Sequence, residues 1–174
     1  MMDVVDPATR SRMMSGIRGK NTRPEMLVRQ FLHGHGFRYR LHSKNLPGRP
    51  DIVMRKWMVA VFVHGCFWHR HQGCKFSTTP ASNLEHWRCR FEENTARDRR
   101  NTNALAARGW TVIILWECGL RDAKAGKRNL LWLLDSIRTA HSAGRILEWP
   151  KAEGKLGSEH HSTISTIVVD LTEE

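Results

Sequence analysis

Residues 51–76 read DIVMRKWMVAVFVHGCFWHRHQGCKF, and the change of character at His64 is what sets the fold. "DIVM" and "WMVAVFV" are apolar runs separated by Arg55 and Lys56, which predicts an antiparallel hairpin of two buried strands. From His64 to Phe76 the chain then carries His64, His69, His71, Cys66 and Cys74, together with the adjacent pair Phe67 and Trp68. A core strand has no use for so many metal-capable groups, and a surface loop has no need of such large aromatics. This segment reads as a functional loop mounted on the end of a core strand.

Upstream, "NLPGRP" is a turn-rich connector whose last proline imposes an extended approach to Asp51. Phe37–Leu41 alternates as a half-buried strand. Thr22-Arg23-Pro24-Glu25 is a capping box, and the helix it opens has Leu27, Val28, Phe31 and Leu32 on one face before Gly34 and Gly36 stop it. Asp6-Pro7 predicts an N-terminal helix over roughly 8–18. Downstream, a long polar helix is expected from about Leu84 to Arg108, closed by Gly109. "WTVIILWE" reads as a buried strand and "KRNLLWLLDSIRTAH" as an amphipathic helix. Beyond Pro150 the pattern weakens, with "STIVVDL" the candidate for a terminal edge strand. Helices, a strand cluster and then helix–strand–helix predict an α/β protein with a central mixed sheet flanked by helices. At 174 residues, one domain over 1–150 with a tail over 151–174 is expected.

Composition narrows the partners. Lys and Arg number 28 against 17 Asp and Glu, a formal net charge of +11. Such an excess favours a polyanion, nucleic acid first, because basic groups release the counterions condensed on phosphates. The charge is also clustered: from Ala8 to Arg49 the only acid is Glu25. "MVAVFV" and "TVIILW" are the longest apolar runs, far below membrane-spanning length. The start "MMDVVDPATR" carries acids where a signal peptide is basic. The expectation is a cytoplasmic protein.

Four cysteines without a secretion signal point to metal rather than disulfides. Cys66 and Cys74 share one loop, and Cys118 follows the "TVIILWE" strand, from which it can return to that loop. A tetrahedral zinc site then needs one histidine. His64, His69 and His71 compete for it, and spacing favours His69 or His71. Cys89, within the long helix, reads as a free thiol.

"DPATRSRMMSGIRGKNTRPE" (6–25), "LPGRPDIV" (46–53), "VHGCFWHRH" (63–71), "NTARDRR" (94–100) and "GWTVIILWEC" (109–118), taken in order, resemble the very short patch repair (mismatch) endonucleases. The resemblance implies a restriction-endonuclease-like fold with a structural zinc and a magnesium-dependent reaction. It implies nicking on the 5′ side of the thymine in T:G mismatches left by deamination of 5-methylcytosine, in bacterial cytoplasm at the nucleoid. Related nucleases carry a second acid and a lysine on the strand that here ends "VFVHG". The family substitutes histidines, which map to His64 and His69, with Asp51 the catalytic carboxylate and Glu25 in support. By the same resemblance the Val63 carbonyl and Asp51 take magnesium, and Cys66, His71, Cys74 and Cys118 take zinc. Phe67, Trp68 and Trp87 form a wedge entering the DNA, with Met14 from the minor-groove side.

That assignment suits the chemistry. Magnesium needs few protein oxygens, a neutral histidine such as His69 can accept a proton from water, and apolar wedges enter most easily where a mismatch weakens stacking. Rival expectations are a nuclease with another mismatch or site preference, and a zinc-stapled DNA-binding protein without catalysis. A monomer is expected, with duplex DNA as partner and mismatch-repair proteins as further candidates.

Overall fold

The computed structural model describes Asp6, Thr9 and residues 19–140, 144–151 and 165–167. Apart from Thr9, whose N–H donates to Asp6 Oδ1 at 2.9 Å, the expected N-terminal helix over 8–18, and with it Met14, lies outside the described residues. Among the described residues the elements are α1 (Arg23–Gly34), β1 (Arg40–Leu41), β2 (Ile52–Met54), β3 (Val59–His64), α2 (Leu84–Ala106), β4 (Thr111–Trp116), α3 (Glu117–Lys124), α4 (Leu131–Arg138), β5 (Ile146–Trp149) and β6 (Ser165–Ile167).

The strands form one mixed sheet in the order β1-β2-β3-β4-β5-β6. β2 and β3 are the expected antiparallel hairpin, joined by a 3-10 turn over Arg55–Trp57 and by Met58 in the left-handed region. That connection consumes Trp57 and Met58, so β3 starts later than its apolar run suggested. The centre is parallel: β3 pairs with β4 and β4 with β5. The α2 crossover supplies the length that a parallel pair requires.

Period-two alternation divides the core into two layers. Val59, Val61, Ile113 and Leu115 point to one face, where they meet Val28 and Leu32 of α1, Leu120 of α3 and Leu133 and Ile137 of α4. Ala60, Phe62 and Val112 point to the other, under Leu105 and Ala106 of α2 and beside Trp110. Burial on both faces is why β3 and β4 read as nearly continuous apolar runs. α1 begins at the predicted capping box: the Glu25 N–H donates to Thr22 Oγ1 and the Thr22 N–H to Glu25 Oε1, both at 3.4 Å. α2 ends at Ala106, and Gly109 supplies the positive φ of 79° beyond it.

Two elements went unread in the sequence. α3 follows β4 without a break and contains Gly119, which looks like a helix breaker. The glycine is needed for space: a Cβ there would meet Pro150 Cδ and lie 2.6 Å from a Trp149 ring carbon. β5 has four residues between Gly144 and Pro150, too short to show a period. The half-buried strand expected over Phe37–Leu41 shrinks to a two-residue edge ladder with Leu41 exposed. The predicted helix around "LLWLLDSIR" is confined to Leu131–Arg138. At the far edge, Ser165–Ile167 pairs antiparallel with β5. Among the described residues, no helix is long and apolar enough to cross a membrane.

Gly119→Ala is expected to destabilise the fold by ~1–3 kcal/mol, the usual cost of overpacking. A denaturant midpoint lowered at unchanged slope would show it.

Candidate active site and metal centre

The C-terminal ends of β3 and β4 lie side by side, His64 opposite Trp116. The loop after β3 folds back at once through a series of turns: the His69 N–H donates to the Gly65 carbonyl and the His71 N–H to the Cys66 carbonyl, each at 3.1 Å. This brings Cys66, His71 and Cys74 together with Cys118 from the first turn of α3, with one ligand-capable atom of each within 4.8 Å of the others. His71 Nδ1 lies 3.3 Å from Cys118 Sγ and 3.9 Å from Cys66 Sγ. Its Nε2 is 3.2 Å from the Pro150 carbonyl. A carbonyl only accepts, so Nε2 carries the proton and the Nδ1 lone pair faces the sulfurs, which is how second-shell contacts orient a metal-ligating histidine. Hydrogen bonding from Cys118, helped by Cys74, outweighs burial and pulls the Cys66 thiol down to about 4. The bond to Cys66, burial and the charge on Cys66 push Cys118 up. Thiols crowded like this ionise together only around a cation, so the donor set of three sulfurs and one nitrogen fits a closed site for a thiophilic divalent ion. Of the three histidines among which spacing had left a choice, the structure groups His71 with the three cysteines.

Around His64 lies a cleft of about 740 Å³, lined among others by Glu25, Arg49, Asp51, His64, His69 and Asp98. Gly48 and Arg49, both at positive φ, turn the chain into it just before Asp51. Gly48 also lies flat against Asn101 of α2, where a Cβ would be 3.0 Å from the Asn101 Cβ. Asp51 precedes β2, and its Oδ2 accepts the Val63 N–H at 2.8 Å. A residue's N–H and C=O leave the same edge of a strand, so the Val63 carbonyl also faces the Asp51 side. Burial pushes the Asp51 carboxyl up to about 6, against the pull of the Val63 N–H.

His64 and His69 stack with ring centroids 3.9 Å apart and 7° between planes. Burial first, and His69 second, push His64 down to about 3, so this ring is neutral. His69 Nδ1 lies 2.5 Å from Asp98 Oδ2 on α2. Burial alone would raise Asp98, but the hydrogen bond and charge of His69 outweigh it and lower its pKa. An ionised Asp98 accepts from Nδ1–H and leaves Nε2 of His69 as the free lone pair.

Half-buried Phe67, Trp68 and Trp87 cluster with the buried Phe91 beside the cleft. Phe67 sits 5.0 Å from Trp68 and 5.5 Å from Trp87, and Trp68 is 6.1 Å from Trp87.

Residues 2–75 match the family described as DNA mismatch endonuclease Vsr. The chain is 48% identical over 135 residues to the type II nicking enzyme V.XorIIP of Xanthomonas oryzae pv. oryzae, covering 78% of this chain and 98% of the relative. It is 42% identical over 154 residues to DNA mismatch endonuclease Vsr of Escherichia coli K12, covering 88% and 91%. Similarity to the type II nicking enzyme V.NmeAIP of Neisseria meningitidis is 40% over 140 residues, 80% and 99% of the two chains. The chain belongs to the Vsr family.

Within the Vsr family reading, the structure groups the expected residues into three neighbouring sets: Cys66, His71, Cys74 and Cys118; Glu25, Asp51, Val63, His64 and His69 around the cleft; and Phe67, Trp68 and Trp87. Cys89 is exposed on α2, outside these sets, with Sγ 3.7 Å from Glu93 Oε1. Asp98 and His42 were missed. A signal for Asp98 was present, since it stands among Arg97, Arg99 and Arg100 as Glu25 stands in its own basic stretch. His42 had none, being one histidine in a strand-like run. It joins Glu25 and Asp51 in a group whose donor atoms lie within 4.8 Å.

Purified protein is expected to carry roughly one tightly bound thiophilic ion, as a closed four-ligand site implies. Cys118→Ser should lower both that content, measured by elemental analysis, and the melting temperature.

Proposed function

We propose that this DNA mismatch endonuclease of very short patch repair is magnesium-dependent and strand-specific, nicking 5′ of the thymine in a T:G mismatch produced by 5-methylcytosine deamination. The observation that carries the reading is the Asp98–His69 pair opening onto the same cleft as Asp51. This is a carboxylate-oriented base beside a second, open carboxylate, the equipment a phosphodiester hydrolase needs. The mixed sheet bearing Asp51 after a proline and before a hairpin supports a restriction-endonuclease-like fold, with residues 1–150 as one endonuclease domain.

The residues present fit magnesium. Asp51 Oδ1 and the Val63 carbonyl are hard oxygens on one side of the cleft, and magnesium asks for few protein ligands. When bound, the ion supplies charge neutralisation at the scissile phosphate and acidifies water. His69 Nε2 takes the proton from the attacking water, and Asp98 stabilises the imidazolium that results. His64, neutral and stacked on His69, adds no repelling charge there and directs an N–H to a phosphate oxygen. Arg49 and Arg97, which line the cleft, hold the neighbouring phosphates. Glu25 supports Asp51 from the start of α1.

The second ion is zinc, the usual occupant of a closed site of three cysteines and one histidine. It fixes the loop that presents Phe67 and Trp68 to the DNA. Those rings with Trp87, and Met14 from the N-terminal segment, enter the step beside the mismatch, each stacked base contributing ~1–3 kcal/mol. A mismatch has no two-fold symmetry, which supports a monomer acting on duplex DNA, in the bacterial cytoplasm at the nucleoid. Mismatch-repair proteins are candidate partners.

The test is a nicking assay on end-labelled duplexes that differ only in T:G, T:A, C:G or another mismatch, with and without magnesium. A magnesium-dependent cut in the thymine strand of T:G is expected. Cutting of other substrates would reassign the specificity, and tight binding with no cutting anywhere would leave a non-catalytic DNA-binding protein. Asp51→Ala should abolish nicking while mismatch binding persists. Asp98→Asn should slow nicking by about 10²–10⁴-fold, the usual contribution of a positioned base.

A further inference from the structure

We propose that His42 is a positioning residue for Asp51, set in one tautomer by an Arg29 guanidinium that Glu25 holds. The inference rests on the reading of Asp51 as the catalytic carboxylate.

His42 immediately follows β1 with φ 46°, a left-handed conformation uncommon for a residue with a side chain. Its backbone N–H faces the Asp51 carbonyl at 3.4 Å, so the two residues are neighbours across the end of the sheet. The half-buried ring lies between two charged groups. Its Nε2 is 3.0 Å from Arg29 Nη2, and its Nδ1 is 3.7 Å from Asp51 Oδ1. A guanidinium nitrogen only donates, so Nε2 must accept. The proton of the neutral ring is therefore on Nδ1, the nitrogen facing Asp51. At 3.7 Å the contact is longer than a hydrogen bond. It orients the carboxylate by its dipole without consuming Oδ1, while Oδ2 is held by the Val63 N–H.

Arg29 is itself immobilised. It is buried, with Nη2 2.7 Å from Glu25 Oε2 and Nη1 2.6 Å from Asn21 Oδ1. Glu25 is saturated in turn, since Oε2 also accepts the Asn21 N–H at 3.0 Å and Oε1 the Thr22 hydroxyl at 3.0 Å. Glu25 thus reaches Asp51 through Arg29 and His42 as well as directly, their carboxylates lying within 4.8 Å of each other. Glu25, His42 and Asp51 also have the composition of a three-ligand metal site. Arg29 argues against it, because the guanidinium already holds the position between Glu25 Oε2 and His42 Nε2 where a cation would sit.

The experiment uses the full chain as wild type, His42→Ala, His42→Asn and His42→Gln, with Asp51→Ala alongside. Three readouts are taken: the His42 tautomer from imidazole nitrogen NMR, Mn2+ affinity without DNA from electron paramagnetic resonance, and kcat and KM on the T:G duplex. Wild-type His42 should be protonated at Nδ1. His42→Ala should lose about 10–100-fold in both Mn2+ affinity and kcat, the usual cost of removing an outer-shell partner, with KM unchanged. His42→Asn, whose amide N–H replaces Nδ1–H, should recover most of the loss, and His42→Gln should not. A proton on Nε2, wild-type Mn2+ affinity in His42→Ala, equal failure of the Ala and Asn variants, or a nitrogen coupling to Mn2+ that disappears with His42 would each overturn the proposal. If the wild type nicks no duplex, the functional reading fails, while the tautomer and Mn2+ affinity still decide the role of His42.

Discussion

Everything at the working end of this protein depends on the parallel pairing of β3 with β4, which sets His64 beside Trp116 at the sheet's C-terminal edge. The Trp116 ring stacks on His71 at 4.3 Å and meets His64 edge-on at 5.4 Å. Its Nε1–H donates to Glu148 Oε1 of β5 at 2.5 Å, which fixes the ring's rotation. The cysteine-rich cluster, through His71, and the cleft, through His64, therefore share contact with one immobilised side chain. A one-residue slip between β3 and β4 would send His64 to the opposite face of the sheet and separate them.

The second constraint is electrostatic. The site carries four acids at least partly shielded from water, and each is matched differently: Glu117 pairs with Arg121 at 2.6 Å. Glu25 faces Arg29 in a buried ion pair, Asp98 faces His69, and Asp51 has only a backbone N–H on one oxygen with a neutral histidine near the other. Three acids are compensated by the protein and Asp51 is left open. Leaving a buried carboxylate uncompensated is costly unless a cation or proton arrives, and this is the place where the chemistry of the family calls for an ion. The same logic governs the three thiols around His71, which need an external positive charge to ionise together.

Much of the frame could be read from the chain because it depends on local patterns. The capping box at Thr22–Glu25 is a contact between residues three apart, and β3 and β4 announce themselves by apolar runs that burial on both faces requires. α3 was hidden by Gly119, whose missing Cβ makes room for Trp149 and Pro150, residues far away in sequence. β5 was hidden by its length. The strand expected at Phe37–Leu41 was overstated, since an edge position keeps Leu41 exposed despite a pattern that would bury it.

By itself, the sequence determined the residue types of the site and the three segments that would carry them: a carboxylate after "GRP", histidines and cysteines after an apolar strand, and a cysteine after the next. These are compositional facts, and metal and proton chemistry follow from side-chain type. Only the tertiary structure showed what each histidine touches. His64, His69 and His71 lie within eight residues in sequence, yet one stacks neutral beneath another, one is oriented by Asp98 from α2, and one turns its Nδ1 to three sulfurs because Pro150 binds its far side. Each role is set by a partner 29 or more positions away, or by a register between strands. No spacing within the loop encodes that, because a histidine's tautomer and charge follow from what touches it.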